Sequence, residues 1–400
     1  MKKGWQNISF GELGRVFNGN SISEAEKKAH FEGVEDGVPY IGTKDVSFEH
    51  EVAYESGVKI PDDKRDGFKL APANTVLVCA EGGSAGRKIA HTDREIYFGN
   101  KLFAVCPSPP ISSRLIFYYC LSGDFTKQFK GSMAGLIGGV SINKFKELSV
   151  PVPPLAEQQR IVGLLDEAFE GLATAQANAE KNLQNARALF ESHLQSVFTQ
   201  RGPGWVEKRL VEVSRDFGRG KSKHRPRNEP KLYDGPYPFI QTGDISNADH
   251  WLTDYTQTYS ELGLAQSRLW PKGTICIAIV GATVGETAIL DFESCFPDSV
   301  IGIVVNEALA DSEYVEFLLQ SFKALLKEKG KGTARDNINL GTFENQMFPF
   351  PPLKKQKAIV ATLNSLREET QRLARLYEQK LALLTALKKS LLHQAFAGDL

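Results

Sequence analysis

Cysteine is scarce in these 400 residues: Cys79, Cys106, Cys120, Cys276 and Cys295 fall singly, mostly inside strand-like apolar runs, and no C-x-x-C pair occurs. That spacing argues against a disulfide framework or a zinc knuckle and predicts buried free thiols in a reducing compartment. The seven histidines are as scattered, so no metal site is expected. No apolar run approaches the roughly 18 residues that span a bilayer, and no leader-like stretch follows Met1-Lys2-Lys3. The expectation is a cytoplasmic protein without membrane contact. An excess of one charge is missing too, because 48 Lys and Arg balance 48 Asp and Glu. A uniformly basic coat is thereby excluded, whereas local patches stay open.

Catalytic motifs are equally absent. Gly218-Arg219-Gly220-Lys221-Ser222 resembles the end of a phosphate-binding loop, but position 215, where that loop needs glycine, is Arg215. No G-x-G-x-x-G and no Asp/Asn-Pro-Pro-Tyr/Phe occurs. The Pro61-Asp62 and Pro297-Asp298 pairs lack the downstream acidic-x-Lys of a restriction-type nuclease. Spacing assembles no Ser/His/Asp or Cys/His set either. No catalytic residue is expected in this chain.

What the sequence does contain is a long internal repeat. Pro151-Val152-Pro153-Pro154-Leu155-Ala156-Glu157-Gln158-Gln159-Arg160-Ile161-Val162 returns as Pro349-Phe350-Pro351-Pro352-Leu353-Lys354-Lys355-Gln356-Lys357-Ala358-Ile359-Val360. Upstream, Pro39-Tyr40-Ile41 falls on Pro238-Phe239-Ile240, and Leu70-Ala71-Pro72 on Leu269-Trp270-Pro271. An offset of about 200 residues is far too long for a solenoid and indicates one scaffold used twice, with the unshared residues as two different surfaces.

Each half reads as β-branched and aromatic runs between Gly, Pro, Asn and Asp clusters, followed by a short helix, Arg114 to Lys130 in one and Ser312 to Lys329 in the other. That pattern is an α+β domain. After each Pro-rich stretch the apolar residues recur every three or four positions, from Ile161 to Val197 and from Ile359 through Leu387 to Leu391. Sustained over about six heptads, the stripe predicts a coiled-coil seam. The expected organisation is domain one at 1-150, a first long helix at 151-201, domain two at 202-348 and a second long helix at 349-400. Two antiparallel coiled-coil helices would then join and space two β-rich domains related by an internal pseudo-twofold repeat.

The positive chemistry is cationic. Arg219, Lys221, Lys223, Arg225 and Arg227 crowd a Gly-, Pro- and Ser-containing loop in the second half, a density suited to phosphates, whose neutralisation releases counterions. The matching stretch of the first half is mixed and acidic, so its candidates lie on inter-strand turns: Lys44, Ser84, Arg87, Lys88 and Lys101. Further candidates in the second half are Gln241, Thr242, Arg268, Thr283, Lys331, Arg335 and Asn337, because Arg, Asn and Gln can read base edges bidentately.

The duplicated Pro-Pro-Leu-x-Glu-Gln-x-x-Ile-Val pattern at a long-helix start, the Gly204-Trp205 restart and the closing Gln394-Ala395-Phe396-Ala397-Gly398-Asp399-Leu400 resemble the specificity subunit (HsdS) of type I restriction-modification systems over the whole chain. The second copy departs from the pattern at Lys355, where the family has Glu. The resemblance implies a non-catalytic reader of double-stranded DNA, with one target-recognition domain per half-site and the paired helices as the ruler for the gap. It also implies docking of two methyltransferase subunits and of restriction/translocase subunits. S-adenosylmethionine, ATP and magnesium would reside on those partners and none on this chain. The partner faces are expected near Leu155, Gln158 and Ile161 and near Leu353, Gln356 and Ile359. Two alternatives stay open: the recognition part of another methyltransferase-based defence or type II system, and a coiled-coil scaffold without DNA contact.

Overall fold

Period-two alternation in the apolar runs places one fully buried strand at the heart of each half. The computed structural model describes residues 3–134, 138–223, 226, 228–330 and 340–400, and the chain divides into two units. Unit 1 comprises Met1–Glu180 with Glu378–Leu400, and unit 2 comprises Lys181–Tyr377. Each unit therefore includes part of both long helices, where the sequence reading had set the helices apart as segments of their own.

In unit 1 an antiparallel sheet runs in the order Gly14–Asn18, Leu102–Pro107, Val76–Cys79, Ile89–His91. Val76 and Val78 face the larger core, whereas Leu77 and Cys79 face a second core with Ala90, Ile96, Phe98 and Ala104. Unit 2 repeats the scheme with Ser214–Arg219, Val300–Val305, Ile275–Ala278, Thr287–Leu290 and a parallel edge strand Trp251–Leu252. There Ile275 and Ile277 turn to one core and Cys276 with Ala288 to the other. All five thiols are free, and only Cys106 is less than fully buried. Burial pushes the Cys276 thiol well up and that of Cys295 up to about 11, so both pack as small apolar groups.

The chain enters each half through a strand that pairs antiparallel with the Pro-rich stretch: Gln6–Ser9 with Ser149–Val152, and Val206–Arg209 with Met347–Phe350. The short helix expected over Arg114 to Lys130 is two helices, α1 (Ser113–Cys120) and α2 (Gly123–Gly131). The break is local: Ser122 Oγ accepts from Phe125 N at 3.2 Å as a fresh cap, and Gly123 follows.

α3 (Leu155–Thr199) and, after the second domain's helix α4 (Ser312–Gly330), α5 (Leu353–Ala397) complete the helical part. Where α1 and α2 are separated, α4 runs on, because Ser321 bonds back to Leu318 O at 2.7 Å and Phe322 replaces the glycine. α3 and α5 have 45 residues each, about 65 Å of helix at 1.5 Å per residue. In unit 1 Ile161 and Leu165 share a core with Leu392, Ala395 and Phe396. In unit 2 Leu194 and Phe198 share one with Val360 and Leu363. In both units the two helices therefore run antiparallel. One stripe residue departs from expectation: Leu387 is 48% exposed. Lys388 turns inward in its place, its Nζ 5.0 Å from the Phe169 ring centroid and its amine pKa lowered by desolvation. Among the described residues no helix is long and apolar enough to cross a membrane.

Candidate nucleic-acid interface

The joint between each domain and its helix is built twice from the same part. Gln158 is 2% exposed. Its Oε1 accepts from Ser112 N at 2.9 Å and its Nε2 donates to Pro153 O at 3.0 Å. Gln356, 1% exposed, accepts from Asp311 N at 2.9 Å and donates to Pro351 O at 2.9 Å. Proline supplies a carbonyl without competing for it through an N–H of its own. These glutamines, with the fully buried Ile161, were expected on a partner face. The structure corrects that expectation, since their polar atoms are consumed inside their own unit. Of the remaining three, Leu155 is exposed, while Leu353 and Ile359 are half-buried.

Beside this shared pin lies an unshared latch. In unit 1 Arg114 of α1 pairs with Asp166 of α3 (Nη2 to Oδ1, 2.8 Å), and Tyr118 donates its hydroxyl to the same carboxylate. In unit 2 the corresponding pair is Glu313 of α4 with Asn364 of α5, whose Nδ2 donates at 2.8 Å. His250 sits between Glu313 (3.1 Å) and the wholly buried Glu316 (2.6 Å), and Thr287 and Gln320 donate to the other oxygen of Glu316 at 2.7 Å. Burial alone would raise the Glu313 pKa, but the bonds from Asn364 and His250 hold it below the usual range. In unit 1 burial, aided by the Arg114 cation, lowers the His91 pKa to about 4.

The inter-strand turns of unit 1 converge at one end of its sheet. Cys79 N bonds to Lys88 O at 2.9 Å and Ala80 N to Lys101 O at 2.8 Å, which puts both lysines beside the end of the inner strand. Ser84 O holds Arg87 N (3.0 Å) and Lys88 N (3.2 Å), and Lys88 Nζ reaches Thr43 O at 3.0 Å, bringing in the turn that carries Lys44. Five sequence candidates are thus gathered in one place, although Lys101 is paired with Glu81 at 3.1 Å. The sequence reading missed Phe48, which is 48% exposed there. Arg87 Cζ lies 4.9 Å and Lys88 Nζ 5.2 Å from its ring centroid. Its only signal in the sequence is an isolated aromatic residue in the polar run Ser47-Phe48-Glu49-His50.

In unit 2 three chain segments meet around the strand Ser294–Cys295. Ile240 N bonds to Cys295 O at 2.9 Å, Lys221 N to Phe296 O at 3.1 Å, and Leu269 pairs with Cys295. This groups Arg219 and Lys221 with Gln241 and Arg268. Gly220 is required for that approach, since a Cβ there would lie 2.2 Å from Phe296 O. Arg219, Lys221 and Lys223 are exposed, and Thr242 is half-buried. Three other candidates are engaged internally. Arg268 pairs with Asp216 and stacks 3.9 Å from the Trp270 centroid, Gln241 donates to Gln257 at 2.7 Å, and Thr283 donates to Val280 O at 3.1 Å. Arg225, Arg227, Lys331, Arg335 and Asn337 lie outside the described residues.

The profile of the type I restriction modification DNA specificity domain matches residues 2–182 and again residues 203–380. The chain is 22% identical over 431 aligned residues to the type I restriction enzyme EcoBI specificity subunit of Escherichia coli, covering 99% of this chain and 86% of that one. It is 24% identical to a putative type I restriction enzyme specificity subunit of Haemophilus influenzae, over 74% of this chain and 75% of that protein. Among solved structures, one chain from work on complex assembly and conformational transition of the type I R-M system superposes with a TM-score of 0.81 at 21% identity, covering 100% of this chain and 99% of the other. The HsdS subunit of Thermoanaerobacter tengcongensis gives 0.63 at 20% identity, covering 100% and 98%. The structural likeness speaks for the fold, and the profile, met once in each half of the duplicated scaffold, carries the assignment: this chain belongs to the type I restriction-modification DNA specificity family.

Proposed function

We propose that the chain is the non-catalytic DNA reader of a type I restriction-modification complex. Unit 1 binds one half of a split target, unit 2 binds the other, and α3 and α5 set the unspecified gap between them. Two methyltransferase subunits and the restriction/translocase subunits dock on it and supply S-adenosylmethionine, ATP and magnesium chemistry. The observation that carries this reading is a repeated scaffold with repeated joints and unlike loops: the pin is the same in both halves, while the residues at the loop ends differ. One frame with two surfaces suits two different half-sites on one duplex, where the protein's dimensions fix their separation.

Mapping methylated adenines in the native host should reveal a bipartite motif. With that duplex in hand, changing Arg219, Lys221 and Lys223 to Ala should flatten the salt dependence of binding by about 0.9 in log-log slope for each phosphate contact removed. Sequence preference should change little, because phosphate contacts position and base contacts specify. A salt slope equal to that of the unaltered chain would show the loop to be incidental.

A further inference from the structure

Phe48 stands on a braced tip. Val46 and Val52 bridge its base, Ser47 N donates to Glu51 O at 3.0 Å, and Ser47 Oγ accepts from Glu49 N and Glu51 N at 3.1 and 3.2 Å. His50 takes a left-handed backbone (φ 75) and its Nδ1 lies 3.1 Å from Ile89 O. Below the tip, the buried Asp45 carboxylate accepts from Gly42 N at 2.8 Å and Ser56 Oγ at 2.7 Å. The turn is therefore held firmly, and what it presents to solvent is an aromatic ring.

Arg87 and Lys88 border that ring, and among the described residues neither is paired with a carboxylate. Glu49 and Glu51 lie on the same turn and offset most of the attraction these cations offer a polyanion. Charge alone is thus a weak grip here, and the ring is the stronger handle. Unit 2 has no equivalent: Asn247 and Ala248 occupy the corresponding turn, and Glu286, paired with Lys323 at 2.6 Å, stands where Arg87 does.

We propose that Phe48 is an apolar wedge that enters a base step of the half-site bound by unit 1, with Arg87 and Lys88 on the flanking phosphates. This rests on the DNA-reading role proposed above. Wedges of this kind unstack and kink a duplex, and a pyrimidine–purine step yields most readily. Half-site one is then read partly through its deformability, and half-site two is not read in that way.

The test uses the full chain assembled with its methyltransferase subunits and duplexes carrying 2-aminopurine at successive steps of each half-site. Phe48→Ala should weaken specific binding about 5- to 150-fold, the range for removing one aromatic stacking partner, and should abolish an unstacking signal at one step of half-site one only. Phe48→Trp should keep both. Wild-type affinity and an unchanged signal in Phe48→Ala would overturn the wedge and leave the DNA-reading role standing. Impaired assembly with methyltransferase, at unchanged DNA affinity per assembled complex, would also overturn it and make the ring a protein contact. An unaltered complex with no preference for a bipartite duplex would instead remove the DNA-reading role, and this inference with it.

Discussion

Replacing Gln158 by Leu keeps the side chain's approximate volume but deletes both polar functions of a fully enclosed pin. Ser112 N, which now donates to Oε1 at 2.9 Å, and Pro153 O, which accepts from Nε2 at 3.0 Å, would lose these partners. Each buried group left unpaired costs about 1–3 kcal/mol, and the leucine recovers about 1–2 kcal/mol by apolar burial. The net loss is about 1–4 kcal/mol, or a Tm lower by about 2–15 °C for units of this size. Hydrogen exchange should quicken at the start of α1 and the first turn of α3, the two places that the pin ties together. Gln356→Leu should cost unit 2 the same within about 1 kcal/mol, because its distances to Asp311 N and Pro351 O match those of Gln158. Thermal unfolding and exchange mass spectrometry read both variants. Unchanged stability, or a large inequality between the two, would refute the view that one pin is used twice.

Two further outcomes follow from the buried ionisable groups. His250→Ala removes a partner of the wholly buried Glu316 and leaves it with Thr287 and Gln320 alone. Unit 2 should lose about 3–5 kcal/mol, much of it restored by adding Glu316→Gln, as denaturant titration would report. In unit 1 the folded pKa of His91 is depressed to about 4 from the ordinary 6.5, so its contribution is whole above about pH 6.5 and is lost as the pH falls towards 4. The shift converts to about 3 kcal/mol, and solvent screening of this partly exposed ring reduces that to about 1–2 kcal/mol. Between pH 7 and about 4.5 the wild type should lose that much more stability than His91→Gln; parallel stability-pH curves would contradict the assignment.

Features that depend on local spacing were legible in the sequence, and those that depend on distant partners were not. The repeat, the Pro-rich joints and the long helices follow from periodicity and from proline's missing N–H. Gln158 and Gln356 looked like surface residues because nothing nearby in the chain reveals Ser112 N or Asp311 N, which lie 46 and 45 residues away. The split of the first short helix turned on whether one serine caps forwards or bonds backwards, a choice that Gly123 and Phe322 decide. Leu387 fits the apolar stripe as well as its neighbours do, yet Phe169 draws in the Lys388 stem instead. Phe48 gains its meaning only from Arg87 and Lys88, which three short strands and the turns between them separate from it in sequence.

The unequal latches bear on how portable each domain is. A unit-1 domain grafted onto α5 would keep a working pin but set Arg114 against Asn364; a unit-2 domain grafted onto α3 would set Glu313 against Asp166, two carboxylates at one seam. The transferable cassette is therefore longer than the domain. It must include about the first three turns of the following helix, through Asp166 in one case and Asn364 in the other. A chimera cut at the prolines would mismatch its latch, and one cut a few turns later would carry lock and key together.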